Sequence, residues 1–404
     1  MKKIEGGVCA PVGFRANGVH CGIRKNKTKR DLSLIVSDVR AAAACVYTQN
    51  LVKGAPIRVT KRHVADGYAQ AIVCNSGNAN TCNADGEEIA EGMCALVEGQ
   101  TGIPAADVVV ASTGVIGQPL SLEPIRAGMP SLAEGLSEDG SLFAAQGIMT
   151  TDTVDKQIAY SFMLGGKECR IGAIGKGVGM INPNMATMLI FITTDASISP
   201  EMLQKALSAD VKDSFNMVSV DGDTSTNDMV CVLANGMAEN ETVTAPGKDF
   251  TVFRKALNKV TTALCRSIAK DGEGATKLLE CKVTGAKSRQ AARTVAKSVI
   301  KSSLFKAAMF GADANWGRVL CAIGYAGAEV DIGRVSVDFR SRAGTVAVCR
   351  EGSGIPFSEE EAKKVLSEDE IEVLIRLGDG NGKATAWGCD LTYDYVKING
   401  DYRT

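Results

Sequence analysis

The sequence predicts an α+β fold in which β-sheets are covered by helices. Three observations carry this reading. Amphipathic helical stripes and short apolar β-type runs are interspersed along the chain without a regular period, so no repeat array is expected. No Gly-x-Gly-x-x-Gly follows a strand candidate, which argues against a dinucleotide-binding βαβ unit. At 404 residues, with 45% hydrophobic and 23% charged content, the chain can bury a large core, as one big domain or two moderate ones. Composition marks no linker or boundary.

In chain order, the first strand candidates are LSLIVSD from Leu32 and AIVCN from Ala71. A helix over Glu87–Glu98 follows, with Ile89, Met93, Leu96 and Val97 on one face. The run MLIFITT from Met188 suits a buried strand and is far too short to span a membrane. Ser199-Pro200-Glu201 offers a capping hydroxyl, a proline in the first turn and an early acid, and Leu203, Ala206, Leu207 and Val211 continue the helical stripe. MVCVLAN from Met229 reads as a strand. Phe253, Leu257, Val260, Leu264 and Ile268 mark a longer helix ending at Asp271-Gly272, and Ala292, Val295, Ala296 and Val299 mark another. IEVLIRL from Ile371 and LTYDYVKIN from Leu391 are the last strand candidates.

Bulk properties exclude several functions. The formal net charge is -1 and no basic block or stripe stands out, so nucleic-acid binding is not expected. The N-terminus MKKIEGGVCAPVGF has two lysines but no apolar stretch behind them, unlike a signal peptide, which points to a cytoplasmic protein with no membrane partner. The 13 cysteines are odd in number, irregularly spaced and without a Cys-x-x-Cys pair. Scattered buried thiols explain them better than a metal site, and no metal is assigned. The Asp221-Gly222-Asp223 stretch fits a turn as well as a metal loop. Asp379 and Asn381 fail as a calcium loop because Lys383 takes the next ligand position. Only His20 and His63 could serve a Ser-His or Cys-His enzyme, and neither has a nucleophile signature nearby.

The chemistry concentrates in GAIGKGVGMINPNMATMLIFITTDA, Gly172 to Ala196. Gly175, Gly177, Gly179, Asn182, Pro183 and Asn184 make a tight, irregular connection. Thr187 then stands at the mouth of a buried apolar run. A hydroxyl so placed can attack the carbonyl of Ala186, an N-to-O acyl shift that hydrolysis completes. The new α-amine of Thr187, with an ordinary pKa near ~8, could then act as the base for its own hydroxyl. A threonine at the start of a strand after a Gly/Asn/Pro loop is also an ordinary structural arrangement.

The segment KGVGMINPNMATMLIFITTDA resembles the cleavage signature of the ornithine acetyltransferase (glutamate N-acetyltransferase) family. The resemblance runs nearly the whole length: GFRANGVHCGIR, CNSGNANTCNADG from Cys74, ASTGVIGQPL from Ala111, IMTTDTVDK from Ile148, VDGDTSTNDM from Val220, DGEGATK from Asp271, GADANWGRV from Gly311, and GDGNGKATAWGCDLTYDYVKINGDYRT at the end. It implies a layered sandwich of helix-covered sheets, cut between Ala186 and Thr187 into 1–186 and 187–404. It implies that Thr187 is the nucleophile and that Thr113 and Gly114 stabilise the oxyanion by a hydroxyl and a backbone N–H. Such donors are needed because acyl transfer builds negative charge on the carbonyl oxygen. On its own, Thr113-Gly114 reads as a turn after the strand VVVAS. Thr153, Lys176, Thr187, Glu273, Asn399 and Thr404 match substrate-binding positions; Thr150 and Thr151 compete with Thr153. Lys176 and Glu273 would otherwise read as solvated loop charges. Met217 stands where many relatives have a basic residue, and Ala314 where proline is usual.

The implied activity is ping-pong transfer of acetyl from N-acetylornithine to glutamate in the cyclic arginine pathway. The enzyme itself carries the acetyl group, so no cofactor is implied, although some members also take acetyl-CoA as a co-substrate and act as N-acetylglutamate synthases. The two fragments are expected to stay associated, as a dimer of such pairs (a heterotetramer). Two other readings differ in what they release: a self-processing aminopeptidase passes the acyl group to water, and a non-catalytic amino-acid-binding protein stays uncut.

Overall fold

The computed structural model describes residues 1–182 and 188–401; Ala186, Thr187 and Thr404 lie outside the described residues. Among those described, two sheets and eleven helices form the α+β architecture that the pattern of stripes and runs called for.

The strands before the Ala186–Thr187 bond are β1 (Lys2–Ile4), β2 (Phe14–Val19), β3 (Leu32–Tyr47), β4 (Tyr68–Asn78), β5 (Val108–Val115), β6 (Lys156–Leu164) and β7 (Lys167–Lys176). After it come β8 (Leu189–Thr194), β9 (Val218–Ser219), β10 (Met229–Ala234), β11 (Leu278–Ala286), β12 (Ser336–Ser341), β13 (Gly344–Arg350), β14 (Ser353–Gly354), β15 (Glu370–Arg376) and β16 (Gly382–Cys389). The helices are α1 (Ala55–His63), α2 (Gly86–Thr101), α3 (Glu123–Glu134), α4 (Ser141–Ile148), α5 (Pro200–Asp210), α6 (Lys248–Lys270), α7 (Arg289–Lys301), α8 (Ser303–Phe310), α9 (Trp316–Gly324), α10 (Glu359–Leu366) and α11 (Tyr393–Gly400).

The first sheet runs β1-β6-β7-β8-β10-β3-β4-β5, with β2 also paired to β3. Both faces are buried, which the strands show by alternation: in β8, Leu189 and Phe191 face one core cluster, while Ile190 and Ile192 face another. In β10, Cys231 and Leu233 alternate with Val230 and Val232 in the same way. Helices α1, α2 and α3 cover the β3-β4-β5 end, and α4 packs on β2 and β3. The second sheet runs β14-β13-β12-β15-β11-β16-β9 and is built wholly from residues after 187. The long helix α6 bridges the two sheets, touching β6 and β7 of the first and β11 and β16 of the second. Its expected stripe, Phe253 to Ile268, is fully buried. Ser199 caps α5 by accepting from the Met202 N–H, as the Ser-Pro-Glu start required.

Five of the six expected strands form. The sixth does not: LTYDYVKIN folds as α11, not as a strand. Its β-branched and aromatic residues suggested a sheet, but the Thr392 hydroxyl accepts the Tyr395 N–H at 3.3 Å and starts a helix. Tyr393 and Val396 stay 83% and 67% exposed, so no core draws them into an alternating register. The last strand is instead β16, whose Lys-Ala-Thr-Ala-Trp run lacks a clean alternation. A second correction concerns charge. Arg289, Arg293, Lys297 and Lys301 recur every four residues and make a basic stripe along α7. Dispersed through RQAARTVAKSVIK, it is hidden until the helix aligns it. No helix among the described residues is long and apolar enough to cross a membrane.

Candidate active site

The site is assembled where strand ends of the first sheet meet two loops from beyond residue 187. Three valines drive β5 into its parallel pairing with β4, which sets Thr113 beside Ser76 and Gly114 beside Gly77. Thr113-Gly114 is therefore strand, not a turn. Thr113 is 9% exposed. Gly114 has φ +131°, and a Cβ there would fall 2.3 Å from the Gly77 carbonyl carbon, so only glycine fits this close approach. The pairing is irregular at Gly77 and Asn78, an irregularity that frees backbone groups from the ladder.

A buried polar network fixes this rim. Ser112 Oγ donates to Asn75 Oδ1 (2.5 Å), and Asn227 Nδ2 donates to the carbonyls of Ser112 (2.9 Å) and Ala79 (2.5 Å). Thr81 and Thr226 hydroxyls both donate to Asn227 Oδ1 at 2.6 Å. Asn227 belongs to the part of the chain after 187, so it ties that part to the strand carrying Thr113. Its neighbour Asp228 is buried, and one carboxyl oxygen, Oδ2, has no hydrogen-bond partner among the described residues. Burial raises its pKa well above the ordinary carboxylate value, against the pull of a Ser225 hydrogen bond and the Lys176 charge. The register pairs Met229 with Leu189, and the Met229 N–H donates to the Met188 carbonyl at 2.9 Å. Asp228 is thus level with the chain just after Thr187.

Lys176 ends β7, opposite Leu189. Burial lowers its pKa, while Asp152 and Asp228 act to raise it. Asp152 is buried too, accepting from Lys156 Nζ (2.8 Å) and from the N–H groups of Gly177 and Thr150 (3.0 Å each). Burial would raise its pKa, but Lys156 and Lys176 overcome that and bring it to about 2. Lys156 Nζ also donates to Asp271 at 2.5 Å, giving a buried chain of alternating charges.

Glu273 is 9% exposed and meets Thr151 Oγ1 at 2.7 Å and Asn399 Nδ2 at 2.8 Å. Its N–H donates to the Val178 carbonyl at 2.9 Å, and a Cβ on Gly179 would lie 2.4 Å from its carboxyl. The Lys176–Gly179 segment is therefore clasped between Asp152 and Glu273. Thr153 is exposed, and its hydroxyl and N–H both bond to Asp271. Of the three competing threonines, Thr151 is the one that touches Glu273. The structure thus sets Glu273 against Asn399 and the Val178–Gly179 backbone that follows Lys176, ties the Ser112 carbonyl beside Thr113 to Asn227, and leaves Thr153 exposed against Asp271. Sequence reasoning quoted VDGDTSTNDM without giving Asn227 or Asp228 a role; a polar Thr-Asn-Asp run entering the apolar β10 was the available signal.

Other residues settle into structural roles. Asp221 accepts from the N–H groups of Met180 (2.6 Å) and Ile181 (2.9 Å), so the Asp-Gly-Asp stretch braces the loop before Thr187. His63 sits at the far end of β5, with Nδ1 2.8 Å from the Val108 carbonyl and Nε2 3.1 Å from Glu91. Ten of the 13 cysteines are buried, and among the described residues no group of histidines, cysteines and carboxylates could hold a metal ion.

The ArgJ family profile matches residues 15–404. This chain belongs to the ArgJ family. The arginine biosynthesis bifunctional protein ArgJ 1 of Clostridium acetobutylicum is 50% identical over 392 residues, covering 97% of this chain and 96% of that one. ArgJ of Caldanaerobacter subterraneus subsp. tengcongensis is 48% identical over 405 residues, covering both chains in full. A crystal structure of ArgJ from Bacillus halodurans matches with a TM-score of 0.51 and 50% identity, covering 54% of this chain and all of that one. The chain is accordingly an arginine-biosynthesis enzyme of the acetyltransferase kind that its motifs resembled.

Proposed function

We propose that this enzyme cuts itself between Ala186 and Thr187 and then moves acetyl from N-acetylornithine to glutamate through an acetyl ester on Thr187. The observation that carries this reading is the entry to β8, where Lys176 pairs opposite Leu189, Asp228 lies level with Met188, and its neighbour Asn227 bonds the Ser112 carbonyl beside Thr113. In the first half-reaction the Thr187 hydroxyl attacks the acetyl carbonyl, with its own α-amine taking the proton. The Thr113 hydroxyl and Gly114 N–H stabilise the oxyanion, and ornithine leaves with the proton. Lys176 helps keep the α-amine unprotonated by its positive charge. Glutamate then enters, and its amine takes the acetyl group. Glu273, backed by Thr151 and Asn399, is a carboxylate suited to the substrate ammonium.

Two facts fit this reading. Strands β8 and β10 follow residue 187 yet lie between β7 and β3, an interleaving that supports the continued association of fragments 1–186 and 187–404. The solved Bacillus halodurans chain, covered in full, accounts for 54% of this one, the share that residues 187–404 make up. Two such pairs as a dimer, a cytoplasmic location, and a reaction needing no cofactor complete the proposal. The test is an exchange assay: labelled acetylornithine with glutamate should yield labelled acetylglutamate, with acetylated Thr187 trapped when glutamate is withheld. Release of acetate at the same rate with and without glutamate would mean transfer to water and sink the transferase reading.

A further inference from the structure

The side-chain amide of Asn227 fills each hydrogen-bonding position it has. The Thr81 and Thr226 hydroxyls donate to its Oδ1, and its Nδ2 donates to the carbonyls of Ala79 and Ser112. These partners fix which way the amide faces, because turned over it would set its oxygen against two carbonyl oxygens. Ala79, Thr81 and Ser112 belong to residues 1–186, whereas Asn227 stands two residues before β10. The amide grips the backbone on both sides of Thr113-Gly114. Ser112 immediately precedes that pair, and the Ala79 N–H donates to the carbonyl of Val115, which follows it, at 2.9 Å. Between these holds lies the irregular register at Gly77 and Asn78, braced from within by Asn75 Nδ2 on the Asn78 carbonyl (3.0 Å). Along β3 and β10 the same two parts of the chain meet through apolar packing, with Cys231 and Leu233 opposite Cys45 and Ala43. Beside Thr113 they meet instead through a buried amide with four bonds.

We propose that Asn227 is a positioning residue for acyl transfer: its amide sets the direction of the Thr113 hydroxyl and the Gly114 N–H. The oxyanion donors of residues 1–186 are thereby aligned from the part of the chain that Thr187 begins. The proposal rests on the oxyanion reading of Thr113-Gly114 given above. Such donors act only within a narrow range of distance, and a misplacement of about 1 Å can cost roughly a hundredfold in rate. Gly54 offers a way to move the amide without replacing it. Its N–H donates to the Thr226 carbonyl at 3.0 Å, and a Cβ there would lie 2.6 Å from Asn227 Nδ2. Its φ of -57° suits any residue, so Gly54→Ala adds a methyl group against the amide without backbone strain.

Exchange kinetics of Asn227→Ala and Gly54→Ala, each alone and combined with Thr113→Ala, test this on rates normalised to processed enzyme. Asn227→Ala should lower kcat by roughly tenfold to a hundredfold and leave the acetylornithine KM within about threefold of the parent's. Gly54→Ala should lower kcat by roughly threefold to tenfold. In the Thr113→Ala background either change should cost no more than about a further twofold, since the donor it aligns is already gone. A residue that merely supports the fold would lower the rate by the same factor in both backgrounds. Equal factors, a parent-like kcat in Asn227→Ala, or a loss confined to KM overturns the proposal. If Asn227→Ala yields no processed enzyme, Gly54→Ala decides by the same criteria. Thr113→Ala turnover equal to the parent's strikes the oxyanion reading itself; a slow Thr113→Ala with equal factors strikes only the role given to Asn227.

Discussion

The two sheets divide the chain unequally. In the first, two strands that follow the Ala186–Thr187 bond are hydrogen-bonded between strands that precede it; in the second, every strand follows it. A cut there would remove a covalent link from the first sheet but leave the ladder pairs of β8 and β10 in place. Most of the site residues gather in the interleaved sheet and its loops, with Asn227 stitched to Ser112 and Asp228 level with Met188, while Glu273 and Asn399 come from the α6–β11 connection and α11. The second sheet supplies packing, against α7 and against the α6 bridge. Self-cleavage chemistry and fold stability are thus separable in one sheet and bound together in the other.

The largest expected effect tests that separation. Phe191 of β8 and Phe339 of β12 are both fully buried, and truncating either to alanine should cost about 3–5 kcal/mol. Urea unfolding on the uncut Thr187→Ala background measures this on a continuous chain. On the native background, Phe191→Ala should also reduce the processed fraction, whereas Phe339→Ala should leave it near complete; equal processing defects would erase the distinction between the sheets. Next in size, Thr113→Ala should lower exchange turnover by roughly two to three powers of ten once rates are normalised to processed enzyme, with acetylornithine affinity little changed. Turnover equal to the parent's would leave Thr113 a strand residue only.

Asp152 and Asp228 sharpen the comparison through pH. The Asp152 pKa is brought from 3.8 to about 2, so its carboxylate stabilises the fold above the ordinary carboxylate value, and that contribution fades as pH falls toward 2. Asp152→Asn should cost about 2 kcal/mol at neutral pH, because Lys156 keeps Asp271, and should flatten the acid limb of the stability profile. Asp228 has the opposite sign. Its folded pKa is raised, so the stability it gives when protonated is lost as pH rises, and Asp228→Asn should gain on the parent toward neutral pH. Unfolding midpoints across pH separate the two. The smallest effect belongs to the second region: Ser288, which caps α7 by accepting the Ala291 N–H, should cost only about 1 kcal/mol as alanine and leave exchange intact.

The sequence made the fold class legible because β8, β10 and α6 carry strong, unbroken periodicity. It hid the second half of β3, where the alanine run from Ala41 to Ala44 has little strand preference and neighbouring strands impose the conformation. It misread Leu391–Asn399 because residue type favoured a strand, while Thr392 and the exposure of Tyr393 and Val396 decided for a helix. Lys176 and Glu273 were legible only through the family resemblance, since nothing local distinguishes them from loop charges. Asn227 and Asp228 were missed, and Thr151 stayed one of three competing threonines, because their roles exist only through partners more than a hundred residues away or, for Asp228, through burial.

The central claim is that one bond is cut and the two pieces stay interleaved. Denaturing mass measurement of the purified enzyme, with N-terminal sequencing of each piece, tests it most directly, alongside the mass under native conditions. The account predicts two fragments, the second beginning Thr-Met-Leu-Ile, that travel together as one native species. A single uncut chain with full exchange activity, or a second fragment beginning at any other residue, would contradict it.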